Sequence, residues 1–552
     1  MKSQTKKRNV SFSQWGLWLM LLLVGGFHTS LNCLISLVFL GYLFLRKPCG
    51  KGEGVSLSLG GVFAGVLTAF YLLSALWGVE GGSALLGFFT FLPLPLYLII
   101  TAREQGQKVA LETLPYALSV GVVLSLFGML LPVISDYFTV AGRLAGFLQY
   151  PNTFGILLLA GQLLLLTKEG WKKIDFAVLA LLILGIFLTG SRTVFVLFLV
   201  GNFGAIFFVK NKKIRWSVLA CLPVALGVAV LICWLTGNMD VIARYLSLSF
   251  LESTFVGRLL YAYDALPVVC SHPLGLGYLG YAYLQPSFQT GMYTVLYAHN
   301  DFLQILLDVG FVPFLFLLFV VGKTVFSGDV PGIYKWIFLV MTAHALLDFD
   351  FQYLSVFGVY LLFTPTLKKP VKIRRPVWGR VLAGALVPVC LYFGTGLLIG
   401  GKTATKMLPF STKLATAAVG ETPTLEEKRQ VGEALISHNP RYYLGYQILG
   451  NLYFSEGDFG KMMEHTASAL ELAPFDTKQY TDTAYQLAYG VNAYRRVGDK
   501  NSANFCLAQL KALPQYITKA QEKISGLGKR IADQPNFEEA EAYILQLIDS
   551  LE

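Results

Sequence analysis

The residues whose types and surroundings could do chemistry are four arginines and one histidine. Arg192 stands in "FLTGSRTVFVL", Arg258 in "STFVGRLLYAYDAL", Arg143 shortly before "YPN" and Arg244 between the first two, while His299 leads into "HNDFLQILLDVG". Arginine carries a planar fork that grips a phosphate through paired hydrogen bonds and does not lose its proton. An imidazole takes up a proton near neutral pH. The arginines suit an anionic, lipid-borne diphosphate, and the histidine suits a general base.

The elements that must position these groups are spanning helices. The chain has 552 residues, 55% of them hydrophobic and only 14% charged, with a mean hydropathy of +0.58. Apolar runs near the bilayer length of roughly 20 residues recur from about residue 17 to about residue 399, and ordinary mixed polarity follows. The sequence predicts an all-α, polytopic membrane domain over residues 1–400 and a separate soluble helical domain over 401–552. The predicted spans lie at 12–28, 29–45, 55–77, 82–101, 109–133, 144–166, 174–190, 192–209, 216–236, 299–321, 333–349, 351–366 and 381–400, or one fewer if the Gly25, Gly26 and His28 stretch does not divide the first pair. The basic start leads into a retained first span, with no clear small-x-small cleavage site. The seven cysteines show neither metal spacing nor a disulfide framework.

Charge sets the orientation. Of 44 lysines and arginines, 28 precede residue 401, and 24 of those fall in alternate loops: with Lys6, Lys7 and Arg8; Arg46, Lys47 and Lys51; Arg103 and Lys108; Lys168, Lys172 and Lys173; Lys210 through Arg215; Lys323 and Lys335; and Lys368 through Arg380. The positive-inside rule makes those loops and the N-terminus cytoplasmic. Four residues remain for the outer face: Arg143, Arg192, Arg244 and Arg258. All are arginine. The net charge of +11 therefore reflects topology and gives no argument for nucleic acid.

A charge at membrane depth costs about 2.5–3.5 kcal/mol even on a permissive scale, so each such arginine calls for a partner or a task. The plain alternative is that each snorkels or pairs with Asp136, Asp240, Glu252 or Asp264, and Arg244, in mid-loop, fits that alternative best. Arg192 follows the tight Gly190-Ser191 turn, where helix-terminal amides could add to an anion site. Arg258 lies in a long outer loop, 237–298, whose Gly275, Gly277 and Gly280 suggest turns, a re-entrant piece or backbone closing on a ligand. Asn300 reads as an N-cap, and Asn300, Asp301, Gln304 and Asp308 fall within about 100° of one another on a helical wheel. Such a stripe should face protein or a wet cavity. His344 is the rival base, near Asp348; the sequence supplies no metal-binding carboxylate pair, with Asp301, Asp308, Asp348 and Asp350 the group that would serve if a metal were used.

Five stretches in order, "GRLAGFLQYPNTFGILLLAG", "TGSRTVFVL", "FVGRLLYAYDAL", "HPLGLGYLGY" and "AHNDFLQILLDVG", resemble the O-antigen ligase and polysaccharide polymerase family over about residues 140–350. The resemblance implies inverting, metal-independent glycosyl transfer at the outer face of the bacterial cytoplasmic membrane, with no cofactor. The donor implied is a polyprenyl-diphosphate-linked glycan, as on undecaprenyl diphosphate, and the acceptor a glycan, lipid, wall polymer or protein hydroxyl. By position, Arg192 and Arg258 look like the residues that hold the donor diphosphate, Arg143 like a further member of that site, and His299 like the catalytic base, with Asn300, Gln304 and Asp308 in support.

The last part reads differently. "YQILGNLYFSEGDFGKMMEHTASALELAP" fits a tetratricopeptide-like pattern at Tyr446, Leu449, Gly450, Tyr453, Ala469 and Pro474, with departures at Met462 and Thr466. Such a domain, outside the membrane by the span count, offers a concave surface to a protein partner. A secondary transporter or lipid-carrier flippase is the alternative function, but it would place its charges mid-span and show repeated halves.

Overall fold

The computed structural model describes residues 11–46, 54–129, 131, 133–209, 211–246, 253–372, 376–421 and 424–552. Lys6, Lys7, Arg8, Lys47, Lys51, Lys210, Arg374 and Arg375 of the basic loops, and Glu252, lie outside the described residues. The described chain is helical, with two short antiparallel pairings: Gly54–Val55 with Val371–Lys372, and Thr139–Val140 with Arg143–Leu144.

Each stretch expected to span carries helix, several of them shorter than the stretch itself. By length and apolarity, Gly81–Glu104, Gln107–Met129, Lys212–Leu235 and Gly379–Ile399 can cross a membrane, and shorter apolar helices such as Phe12–Leu22, Thr29–Leu45 and Phe311–Phe326 accompany them. The chain is an all-α, polytopic membrane protein. At its centre the Pro151–Leu165 helix is buried at every position except Asn152, which opens to the site. Proline at its first turn presets the helical φ and removes an amide that would have had no partner.

One expected span is corrected. Residues 299–321 form two helices, Asp301–Val309 and Phe311–Phe326, parted at Gly310, whose φ is +80°. There the backbone closes on Pro273 and Leu274: Phe311 N–H donates to Pro273 O at 3.1 Å, and a Cβ on Gly310 would stand 2.4 Å from that same oxygen. The glycine-rich stretch supplies the other side. Leu276 N–H donates to Leu307 O at 2.6 Å and Gly277 N–H to Asp308 O at 2.9 Å, with Gly275 and Gly277 both at positive φ. The glycines form turns, and the backbone that they approach is the chain's own.

Among its described residues the long segment 237–298 holds three helices, Asp240–Leu246, Ser253–Ser271 and Gly280–Phe288. Beyond residue 401 the helices Leu425–His438, Tyr443–Glu456, Phe459–Leu472, Thr477–Arg496, Lys500–Glu522 and Phe537–Leu551 pack as successive neighbours, the last five around an apolar cluster of their own. Tyr443–Glu456 and Phe459–Leu472 lie so close at Gly450 that a Cβ there would meet Thr466 Oγ1 at 2.7 Å. Ala469, across the same interface, is fully buried.

Candidate functional site

The site collects at Asp348, on the connection between the Gly332–Ala345 and Leu354–Leu362 helices. Its carboxylate is buried and receives five donors. Arg258 Nη2 reaches Oδ2 at 3.2 Å and Asn152 Nδ2 reaches it at 2.8 Å. His299 Nδ1 lies 3.2 Å from Oδ1, which also accepts from the Tyr150 hydroxyl at 3.0 Å and the Phe349 amide at 3.0 Å. Four separate segments thus meet on one acid. The side chains of Arg258 and His299 remain 18% and 21% exposed while Asp348 is 1% exposed, so the anchor is dry and its two principal partners face outward.

Local geometry explains how each group arrives. His299 sits at φ +49°, in the left-handed region that costs a non-glycine residue of order 1–3 kcal/mol and that proteins keep where the surroundings enforce it. Enforcement comes from the polar stripe. Asn300 caps the following helix, accepting from Leu303 N–H at 3.0 Å. Gln304 Oε1 takes the Ala298 amide at 2.8 Å, its Nε2 donates to Asp308 Oδ1 at 2.8 Å, and the Tyr71 hydroxyl closes the chain on Asp308 Oδ2 at 2.9 Å. Gln304 and Asp308 are fully buried, so these two orient the backbone ahead of His299 and do not face solvent. The Phe349 ring meets the imidazole edge-on at 4.9 Å, and Tyr261 lies across from it at 5.8 Å.

Arg143 links this centre to a second arginine group. A turn at Ala141 and Gly142, both at positive φ, presents it from the Thr139–Val140/Arg143–Leu144 hairpin. Its Nη2 donates to Asn152 Oδ1 at 2.6 Å, and Asn152 in turn donates to Asp348; its Nε donates to Thr189 O at 2.7 Å. Burial first, and then the neighbouring Arg244 guanidinium, pull Arg143 down to about 10, which leaves it charged at neutral pH. Around the Gly190 turn Arg192 Nε donates to Arg244 O at 3.0 Å and Arg244 Nε donates to Gly190 O at 3.1 Å. Arg192 therefore joins Arg244 and the Arg143 end of the site, whereas Arg258 joins His299. Arg244, expected from its mid-loop position to snorkel or to pair with an acid, braces through its Nε the turn that carries Arg192.

The rival base lies deeper. His344 Nδ1 is 2.6 Å from Asp350 Oδ2, the Thr153 hydroxyl donates to Asp350 Oδ1 at 2.7 Å, and His344 is fully buried. Asp301 accepts the Phe351 amide at 3.0 Å just beside it. Asp348 is the residue whose centrality the sequence did not reveal, and its signal was two acids spaced by one residue in "LLDFDFQY", at the end of an apolar run. No group of three or more metal-ligating side chains occurs among the described residues.

Residues 177–318 match the model of a protein family described as O-antigen ligase. The matched stretch contains Arg192, Arg244, Arg258 and His299, and leaves out Arg143, Asn152 and Asp348. No curated protein and no solved structure matches the chain.

Proposed function

The chain carries an O-antigen ligase domain over residues 177–318 of a helical, bacterial membrane protein, and from that premise we propose that it transfers glycan from a polyprenyl-diphosphate donor to an acceptor hydroxyl at the outer face of the cytoplasmic membrane. One observation carries the reading: a buried carboxylate, Asp348, holds a cation, Arg258, and a base, His299, side by side at a partly open surface.

With Nδ1 turned to Asp348, the imidazole presents Nε2 outward, the tautomer a general base needs. The acceptor hydroxyl gives its proton to Nε2, and its oxygen bonds to the anomeric carbon of the donor. The bond from that carbon to the diphosphate oxygen breaks, and its electron pair leaves with the diphosphate. A single displacement inverts the anomeric centre. Arg258 receives the growing negative charge, with Arg143 and the Arg192 turn extending the positive surface along the leaving group. Fixed positive charge of this kind is usually the largest catalytic term. Arg258, Arg143 and Arg192 would supply the positive charge that a metal supplies elsewhere, which supports a reading of the reaction as metal-independent and without a cofactor.

The alternation of basic loops supports a cytoplasmic N-terminus, with the 237–298 segment and residues 401–552 outside. The C-terminal helices suit a tetratricopeptide-like domain with a protein partner of its own.

Arginine-to-lysine exchange tests the donor assignment, since lysine keeps the charge and loses the fork. Purified Arg258→Lys and Arg192→Lys proteins should insert and purify normally, yet transfer glycan from an undecaprenyl-diphosphate donor about tenfold more slowly or worse, with Arg258→Lys the more impaired. Parent rates in both variants would remove the diphosphate from the proposal.

A further inference from the structure

The C-terminal domain lies outside the matched family stretch, yet one of its connections is seated on the helix that carries Arg258. Between the Lys500–Glu522 and Phe537–Leu551 helices the chain runs over the outer segment at Thr290 and Gly291. Ser525 N–H donates to Thr290 O at 2.9 Å and the two hydroxyls bond at 2.8 Å. Ala532 N–H donates to Ser253 Oγ, at the start of the Ser253–Ser271 helix, at 2.7 Å. Ile531 is buried with Val256, Leu260 and Tyr293. The approach at the glycines leaves no slack, because a Cβ on Gly528 would stand 2.1 Å from Thr290 O and one on Gly291 would stand 2.8 Å from Gly528 Cα.

The seat is also fixed from below. Asp264, on the same helix as Arg258, accepts from the Thr290 amide at 2.9 Å, the Thr290 hydroxyl at 2.6 Å and the Tyr293 hydroxyl at 2.9 Å. The Tyr293 ring lies 4.5 Å from that of Tyr261, inclined at 45°, and Tyr261 in turn neighbours His299 at 5.8 Å. A second contact, Tyr283 against Tyr442 at 5.2 Å, ties the Gly280–Phe288 helix to the same domain, so the outer segment is gripped on both sides of Thr290.

We propose that the 523–536 connection is a positioning element of the transfer site: it clamps the Ser253–Ser271 helix at Thr290–Gly291 and Ile531, and so sets Arg258 and Tyr261 against His299. The C-terminal domain thereby completes a site whose chemistry lies in the membrane domain. The inference rests on the transferase reading for its consequence in turnover, while the seating itself can be measured without it.

Two variants test it, both in a Cys270→Ser background that removes the exposed cysteine of the outer helix. Thr290→Cys/Ser525→Cys, oxidised, locks the seat; cross-linking should go to completion, and the locked protein should bind undecaprenyl diphosphate and transfer glycan as the parent does. Gly528→Ala lifts the connection; diphosphate binding should weaken about tenfold and turnover fall about tenfold to a hundredfold, with unchanged melting, because an ångström of misplacement is enough to spoil alignment. A cross-linked protein that is inactive until reduced, or a Gly528→Ala protein with parent binding and parent turnover, would overturn the proposal. If the parent binds the diphosphate but transfers no glycan, the transferase reading fails alone, and diphosphate binding by Gly528→Ala still decides whether the clamp positions Arg258.

Discussion

Two aspartate–histidine pairs stand two residues apart on one short connection, and they do opposite things with the same chemistry. Asp350 and His344 meet at 2.6 Å with no exposure on the imidazole, and among the described residues His344 Nε2 has no partner. Asp348 and His299 meet at 3.2 Å, the imidazole is 21% exposed, and its backbone is held in the left-handed region. In the inner pair, His344 stands at the end of the Gly332–Ala345 helix and Asp350 ties it to Thr153 on the central Pro151–Leu165 helix. The outer pair joins segments that are far apart in sequence and shares its carboxylate with a cation. Proximity of an acid and a base is therefore no sign of a catalytic pair; an outward nitrogen and an enforced backbone are what set His299 apart.

The two acids should respond most differently to substitution. Asp348→Asn removes the charge that holds both Arg258 and His299 and places an amide where two donors converge. Turnover should fall roughly 10²- to 10⁴-fold, with the protein still folded. Asp350→Ala should act on the fold instead, because it strands His344 and Thr153 without a partner in a dry interior. A loss of about 3–5 kcal/mol is expected, read as a lower melting temperature in detergent, with near-parent turnover per folded molecule below it.

A smaller effect separates the site from its seat. Burial raises the Asp264 carboxyl above the usual carboxylate range, against the hydrogen bonds from Thr290 and Tyr293. A raised folded-state value means that the stabilisation is complete below the unfolded value and is lost as pH rises through the folded one. The melting temperature should therefore decline slightly from pH 4 towards neutrality, and Asp264→Ala should abolish that slope.

Much of the site was legible because a membrane penalises charge. Four arginines set apart from the basic loops, and a polar stripe at one end of an apolar run, stand out where polar groups are costly. The stripe's role was half legible: Asn300 caps, but Gln304 and Asp308 turn inward to fix Ala298, which a helical wheel cannot distinguish from facing a sugar. Arg192 and Arg258 read as equivalents, yet Arg192 follows the Gly190 turn and donates to Arg244 O, while Arg258 anchors on Asp348. That difference depends on pairings across 90 residues, which spacing does not encode. The break at Gly310 escaped the hydropathy pattern because Phe311 resumes an apolar run at once, and only the approach of Pro273 shows why the helix must part.

If His299 is the base and His344 is structural, polyprenyl-diphosphate binding measured beside glycan transfer must separate the purified His299→Ala and His344→Ala proteins. His299→Ala should bind donor as the parent does and transfer roughly 10²- to 10⁴-fold more slowly, the range expected for loss of a general base, while folded His344→Ala transfers near the parent rate. Normal transfer by His299→Ala with failure of His344→Ala would contradict the account and move the base to the inner pair.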